Sequence, residues 1–533
     1  MLLWLVLGVE VSMHNNFSGY QFNNPNQFGR NINQSNNFMN DVNKSNINQN
    51  NDITNQNSSN TNQTNVADPN NKVNQQSTNS NQCLGKLNKY RNLVVGINTK
   101  VPLDNGTYTT AINFDNAATT PPFYCVEKEV RDFMPWYSSI HRGRGYKSML
   151  STEAYEAGRE IVKSFVKADS KKDVVIYTKN TTDSINMLAF VLSQEKDGKD
   201  VVLSTWMEHA ANDLPWRDKF TVDYIDIDEF GRLSLEDFEA KLKKYTNRVK
   251  LVTVAGASNV TGYINDIHKM AEIAHKSGAK IHVDGAQLVP HVAVDMKEFE
   301  SDEHIDYLSF SAHKMYAPYG CGALIGPKTT FEACTPYSLG GSIIKLITHE
   351  NIWWEEPPQK DEAGSPNLIG IVAMVSAIKT MSKIGMNNAY SLEKSLLNYA
   401  FSKMKNVPDI RFYNNPDKQE TIGVIPFNIE GVHHSIMSAI LSYEAGIAVR
   451  NGYFCAHPYC ESLLGLSAKD MEELMSNPAS LFPGIVRVSF GLYNDFSEID
   501  KLVYFLKQIT NNKKYYIDKY SNSRGRYNIK NEV

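Results

Sequence analysis

The sequence predicts an α/β protein: a large domain on a mainly parallel, mixed sheet, followed by a smaller α+β C-terminal domain. Three observations carry this expectation. From about Ile112, short β-rich runs alternate with amphipathic helical stretches, the pattern of strand–helix–strand units on a parallel sheet. Polar motifs fall just past the strand candidates, where ligands collect in such sheets. After Pro366 the strands become sparser and the helices longer.

In chain order, the strand candidates are Val174–Tyr177, Asp200–Ser204, Val249–Val254, Lys280–Val283, Tyr307–Phe310 and Gly322–Ile325. Each is short, β-branched or aromatic, and bounded by turn residues. Between them the 3.6-residue period predicts helices over Thr182–Leu192, Leu235–Tyr245 and Asp266–Lys276. Beyond Pro366, helices are expected over Leu368–Ile384, Leu392–Lys405 and His434–Glu444, and strands over Gly423–Asn428 and Gly446–Arg450. Strand Val486–Phe490 and helix Phe496–Lys507 close the series. The expected organisation is an arm over 1–85, a large domain over 86–365, a small domain over 366–510 and a basic polar tail over 511–533.

Residues 15–82 are dominated by Asn, with Gln and Ser. Such a tract buries too little apolar surface to offset the entropy of ordering it, so a disordered, Asn-rich arm is expected. The opening MLLWLVLGVE stops at Glu10, short of the ~20 apolar residues of a membrane span and without a basic n-region. The change of character at Met13 makes it an alternative start. The tail after Lys507 carries Lys513, Lys514, Lys519, Arg524, Arg526 and Lys530 and reads as a solvated, loosely ordered segment. A net charge of −4 leaves no electrostatic footprint for nucleic acid. Six scattered cysteines form no disulfide framework, and a cytoplasmic protein without membrane partners is expected.

The chemistry-bearing residues stand at the strand ends. Lys314, in Ser311-Ala312-His313-Lys314, follows a strand and precedes a tight turn. Read alone it is a solvated lysine; held inward, desolvation lowers its pKa toward a nucleophilic amine suited to a Schiff base. Asp284, in Asp284-Gly285-Ala286-Gln287, is either a helix cap or the acid that pairs with a pyridine nitrogen. Gln287, one turn on, is in reach of a ring hydroxyl. Asn180-Thr181-Thr182-Asp183 opens a helix, which serves equally as a plain cap or as a phosphate site, with Ser311 and His313 completing a phosphate cup. His209 is placed to stack on a planar ring, and Asn259 to reach ring or substrate. Together these residues describe a pyridoxal 5′-phosphate (PLP) site.

The run from Phe114-Asp115-Asn116-Ala117-Ala118-Thr119-Thr120 to Tyr493-Asn494 resembles PLP-dependent transferases of fold type I. It is most similar to class V aminotransferase-fold enzymes of the SufS/CsdA cysteine desulfurase type. The motifs occur in family order: His141-Arg142-Gly143, Thr181-Thr182, Glu208-His209, Ala257-Ser258-Asn259, Asp284 to Gln287, Ser311 to Lys314, Glu362 to Asn367, Arg450 to Ala456, and Arg487-Val488-Ser489. The resemblance implies that Lys314 forms the Schiff base and later moves protons, Asp284 pairs with the pyridinium, Gln287 with the ring hydroxyl, and His209 stacks on the ring. It implies phosphate contacts from Thr181, Thr182, Ser311 and His313, and from Gly341 and Ser342 toward a partner subunit, hence a homodimer. Arg487 would clamp the substrate carboxylate, with Asn259, Arg450 and His141 beside it.

Cys455 decides the reaction. It stands in an Arg-x-Gly-x-x-Cys-Ala-x-Pro frame from Arg450 to Pro458, where the resemblance implies a thiolate that takes sulfur from L-cysteine as a persulfide, leaving L-alanine for release and sulfur for an acceptor protein. An isolated cysteine is otherwise a buried structural residue. Where SufS-type enzymes carry two histidines, this chain has Tyr453-Phe454, closer to molybdenum-cofactor sulfurases; Asn180 and Ala312 replace glycines common in the family. Two other readings stay open: an aminotransferase, epimerase or lyase with Cys455 a bystander, and an Asn-rich assembly protein. Cys455, His457 and Cys460, even with His433 or His434 nearby, supply only three close ligands, one short of a zinc site, so no metal is expected.

Overall fold

Seven strands build the main sheet. In chain order they are β1 (Asp173–Thr178), β2 (Val201–Thr205), β3 (Thr221–Ile225), β4 (Val249–Ala255), β5 (Lys280–Asp284), β6 (Tyr307–Ser311) and β7 (Gly322–Pro327). Their spatial order is β1-β7-β6-β5-β4-β2-β3. The β6-β5-β4-β2-β3 pairs are parallel, whereas β7 runs antiparallel to both β1 and β6. The computed structural model describes residues 90–477 and 481–521, all within one compact unit, 80–533. The Asn-rich arm, the apolar opening segment, and Arg524, Arg526 and Lys530 lie outside the described residues.

Alternation along each strand assigns its side chains to the two faces. Val175, Tyr177, Leu203, Val254 and Phe310 pack under helices α1 (Tyr146–Val166), α3 (Leu235–Lys244), α4 (Ile267–Lys276) and α5 (Leu368–Ile384). Val174, Ile176, Val202, Leu251 and Leu324 pack under α2 (Thr181–Ser193). With both faces covered, the central strands are buried at nearly every position, as parallel sheets require. Strand β3 was not expected from the sequence: it is an edge strand, half-exposed along Thr221–Tyr224, so its composition carries no continuous apolar run.

A second sheet follows, from β8 (Ile410–Phe412), β9 (Val424–Ile429), β10 (Arg450–Gly452) and β11 (Ile485–Ser489), in the antiparallel order β8-β9-β11-β10. Helices α6 (Met386–Met404), α7 (His434–Ala445) and α8 (Phe496–Asn511) close its core. Helix α6 begins six residues before the expected Leu392, because Gly385 (φ 82°) turns the chain sharply out of α5. The single strand expected over Gly446–Arg450 is instead divided. Ile447–Ala448 pairs in parallel with Ile112–Asn113, and Arg450 then pairs with Arg487.

The chain after Lys507 departs from the loosely ordered tail expected there. Helix α8 continues to Asn511, and Lys513–Ser521 forms a further helix, α9. Tyr520 is buried, its hydroxyl donating to Glu444 Oε1 (2.7 Å), and Lys519 pairs with Asp104 and Glu444. Interleaved tyrosines thus dock the segment that its lysines suggested was solvated. Among the described residues, no single helix is long and apolar enough to cross a membrane.

Candidate active site

Strands β1, β2, β4, β5 and β6 all end on one edge of the main sheet, and a cavity of about 260 Å³ opens there. Its wall brings together Thr181, Thr182, His209, Asn259, Asp284, Gln287, Ser311, His313, Lys314, Arg450, Cys455 and Arg487. Those from Thr181 to Lys314 meet because parallel strands deliver their carboxyl ends to the same edge, whereas Arg450, Cys455 and Arg487 are brought there by the antiparallel second sheet and the loop that follows β10.

Lys314 sits in a 3-10 turn, Ala312–Lys314, directly after β6. The backbone pairs Ala312 N–H with Cys321 O (2.9 Å) as the chain reverses into β7, which holds the amine against the cavity. Burial pushes its pKa down to about 8, with Asp284 opposing and Arg487 assisting the shift. Asp284 ends β5 and is buried, its Oδ1 accepting from Ala286 N–H (2.9 Å). Burial raises its pKa, while that N–H and the Lys314 charge pull it back. Gly285 has no alternative: a Cβ there would lie 2.8 Å from Val289 and 3.1 Å from Ser309 O.

His209 follows β2. Its Nδ1 accepts from Ala211 N–H (3.0 Å), so the proton of the neutral ring resides on Nε2. Burial first, then the Lys314 and Arg487 charges, lower its pKa to about 4. Glu208 beside it faces the interior, bonded to Thr205 (2.6 Å), Asn212 (2.6 Å) and Ala255 N–H (2.9 Å); burial raises it to about 8. This acid braces the β2–β4 edge under His209. Helix α2 starts at Thr181, capped by Asn180, whose side chain accepts from Asp183 N–H (3.0 Å). Thr181 N–H donates to Ser311 Oγ (2.7 Å), and the two hydroxyls meet at 2.6 Å. His313 completes this end, its Nδ1 3.3 Å from Thr119 Oγ1, with burial lowering its pKa to about 4.

The opposite wall is cationic. Arg487, on β11, is buried; it donates to Asn259 O (2.7 Å) and to Asp115 Oδ1 (3.0 Å). Its guanidinium lies 4.8 Å from the Phe454 ring centroid, a cation–π contact. Arg450, more than half exposed, approaches the other Asp115 oxygen at 3.6 Å. Asn259 donates from Nδ2 to Phe454 O (2.7 Å), so its amide braces the cysteine loop as well as facing the cavity. Cys455 is exposed, and both Phe454 (φ 52°) and Cys455 (φ 58°) take the left-handed conformation, which is costly for residues with a Cβ. That turn, fastened by Ala210 N–H to Cys455 O (2.7 Å), swings the Phe454 ring onto Arg487 and leaves the thiol at the cavity mouth.

Three expected residues are not brought to this wall. His141 turns away: its Nε2 meets Glu156 Oε1 (2.9 Å), and Glu156 in turn meets Arg159 Nε (3.1 Å). Its φ of 65° reflects a local turn after Ser139-Ile140 that aims the ring at α1, contrary to the substrate contact expected of it. Gly341 and Ser342 lie on an exposed strap, joined by the bond from Gly364 N–H to Gly341 O (2.9 Å). The cysteine–histidine cluster is also occupied otherwise: Cys460 Sγ donates to Tyr453 O (3.3 Å), and His457 stacks on Tyr453 at 4.7 Å.

Sequence reasoning assigned no role to Asp115 or to the Arg159–Glu362 pair. Asp115 stood within the quoted Phe114-to-Thr120 run, and its spacing to Arg487 carried no signal. Glu362 accepts from Arg159 Nη1 (2.8 Å) and Nη2 (2.7 Å), from Tyr177 N–H (2.7 Å) and from the Tyr155 hydroxyl. This cluster anchors the turn that runs on to Gly364.

The arrangement fits PLP. Gln287 Oε1 is buried with no hydrogen-bond partner among the described residues, while its Nε2 donates to Ala117 O (2.7 Å). A half-buried lysine, a buried carboxylate, a neutral imidazole and a hydroxyl-lined helix start surround the same space.

The family model described as "Aminotransferase class-V" matches residues 112–502. A cysteine desulfurase of Haloferax volcanii is 34% identical over 417 residues, covering 77% of this chain and 92% of that protein. Among solved structures, a cysteine desulfurase from Thermococcus onnurineus NA1 is 29% identical with a TM-score of 0.67, and the cysteine desulfurase CsdA from Escherichia coli is 28% identical with a TM-score of 0.65. Each alignment covers 75% of this chain and 95% of the other.

Proposed function

The chain belongs to the class V aminotransferase family, and from that membership we propose that it is a PLP-dependent cysteine desulfurase, converting L-cysteine to L-alanine and retaining the sulfur on Cys455. The observation that carries the reading is the placement of Cys455 at the mouth of the cavity that holds Lys314, Asp284 and Arg487.

When bound, PLP supplies an electron sink that labilises bonds at the α and β carbons of an amino acid. Lys314 would hold it covalently through Nζ, with Asp284 available to its ring nitrogen, Gln287 to its ring hydroxyl and His209 to its ring face. Thr181, Thr182, Ser311, His313 and the α2 N-terminus would hold its phosphate. Because burial keeps His209 neutral above about pH 4, it adds no charge beside the ring. Arg487, with Arg450, receives the substrate carboxylate. Lys314, depressed to about 8, is suited to take a proton at one carbon and return it at another near neutral pH. Cys455 Sγ, giving up its proton, forms an S–S bond to the substrate sulfur as the C–S bond breaks; the bonding pair passes to the β carbon, which takes up a proton, leaving alanine and a persulfide for a sulfur-acceptor protein.

In this reading the chain holds a cofactor domain (86–365) and a smaller domain (366–510). A homodimer is supported by the exposed apolar side chains Leu339, Leu346, Ile347, Ile352 and Trp353, which flank the Gly341-Ser342 strap; a second copy covers them and receives the strap at its cofactor phosphate. Cytoplasmic residence accords with the free thiols of Cys125, Cys321, Cys334, Cys455 and Cys460, and subcellular fractionation tests it.

The deciding experiment is Cys455→Ala. The variant is expected to keep the visible absorbance of bound PLP and to lose alanine and persulfide formation from L-cysteine. Undiminished desulfuration by this variant contradicts the assignment of the nucleophile; pyruvate or pyridoxamine phosphate as the product points to an aminotransferase or lyase instead.

A further inference from the structure

We propose that Asp115 sets the net charge of the substrate-binding wall, so that the site accepts amino acids with a single carboxylate and disfavours dicarboxylates. The inference rests on the reading that Arg487 and Arg450 receive an amino-acid carboxylate.

Two guanidiniums face the cavity, and one carboxylate stands behind both: Asp115 Oδ1 is 3.0 Å from Arg487 Nη2, and Oδ2 is 3.6 Å from Arg450 Nη1. Asp115 itself is not on the cavity wall, which Ala117 and Ala118 form at that point. Its backbone is held in place, with its N–H donating to Asn113 Oδ1 (3.0 Å) and a parallel bridge to Ser489, two residues from Arg487. The wall therefore carries two positive charges and one negative, a surplus of one. A single α-carboxylate matches that surplus. A second carboxylate on the substrate meets no further cation in the arginine wall; the rest of the cavity holds Asp284, the Phe454 ring, His209 and His313, which burial keeps neutral at working pH, and Lys314, whose amine is committed to the cofactor in the PLP-loaded protein. Asp115 is thus a positioning and specificity residue, acting through the two arginines.

Asp115→Asn keeps the shape and an acceptor for Arg487 but removes the charge, leaving a surplus of two. Dissociation constants of propionate and succinate are measured by calorimetry on the PLP-loaded protein, together with the corresponding Asp115→Glu and Arg450→Gln variants. The ratio of the propionate to the succinate constant is expected to rise at least about tenfold in Asp115→Asn. That is the scale of one unit charge at roughly 7 Å and an effective dielectric of about 20, reduced by salt. Asp115→Glu, which restores the charge, is expected to stay within about threefold of the wild type, and Arg450→Gln to lower the ratio at least about threefold. An unchanged ratio in Asp115→Asn, or an equal shift in Asp115→Glu, overturns the proposal. If Asp115→Asn does not accumulate as folded protein, an unchanged ratio in Arg450→Gln overturns it. Since the ratio reads binding alone, failure of the wild type to release alanine counts against the desulfurase reading and leaves this test intact.

Discussion

The depressed pKa of Lys314 makes a quantitative prediction about how the protein takes up its cofactor. Only the free amine attacks the PLP aldehyde. With its pKa at about 8, roughly a quarter of Lys314 is free base at pH 7.5, against about one in a thousand for an ordinary lysine. Uptake at Lys314 is therefore expected to be more than about 200-fold faster than at a solvent lysine of equal accessibility. The sign follows from the shift: Lys314 is ammonium below about pH 8, so the rate rises about tenfold per pH unit on the acid side and levels off above it. Stopped-flow measurement of the visible absorbance, after mixing cofactor-stripped protein with PLP between pH 6 and 10, reads this profile, and Lys314→Ala supplies the blank. Asp284 stabilises the ammonium form and Arg487 destabilises it. Asp284→Asn is accordingly expected to move the midpoint to lower pH, and Arg487→Met to higher pH. The cofactor's own ionisations are common to all variants, so the displacement between profiles isolates the lysine. A midpoint at or above 10 refutes the assignment of burial as the cause, and an upward displacement in Asp284→Asn refutes the charge coupling to Asp284.

Two further outcomes follow from other parts of the molecule. Glu362→Gln takes from the nearly buried Arg159, sandwiched between Tyr155 and Tyr177, its buried counter-charge and leaves only the partly exposed Glu156. Breaking such a pair costs about 3–5 kcal/mol, and over the roughly 430 described residues this lowers the thermal midpoint by roughly 3–5 °C; a drop under about 1 °C by calorimetry contradicts it. The exposed apolar side chains beside the strap, on the antiparallel pair Ile344–Ile347 and Ile352–Trp354, predict that Trp353→Asp converts a dimer to monomers in sedimentation velocity and weakens PLP retention through the strap; a wild-type monomer, or an unaltered dimer in the variant, argues against that interface.

Much of the site was legible because its residues are announced by their neighbours. A β-branched run ending in Asp284-Gly285, or an aromatic-flanked one ending in Ser311-Ala312-His313-Lys314, reports both the strand and the polar residue at its end. Parallel strands then bring those ends to one edge without further information. Burial along β1 and β4–β6 likewise follows from local composition. The edge strand β3 escaped because exposure removes the apolar signal, and α9 because its docking depends on Glu444 and Asp104, far away in sequence.

Local pattern by itself thus determined the α/β class, six of the seven strands of the main sheet, and the candidate lysine, acid and helix start at their ends. Tertiary structure alone decided which charges meet. Asp115 reaches Arg487 across 372 residues, the Arg450–Arg487 register follows from a strand that changes sheets at Val449, and His141 turns to Glu156 instead of the cavity. The physical reason is range. Propensity and hydrophobic period act between neighbours in the chain, whereas the pairing of buried charges is set by sheet register and loop closure, once the core has already brought distant segments together.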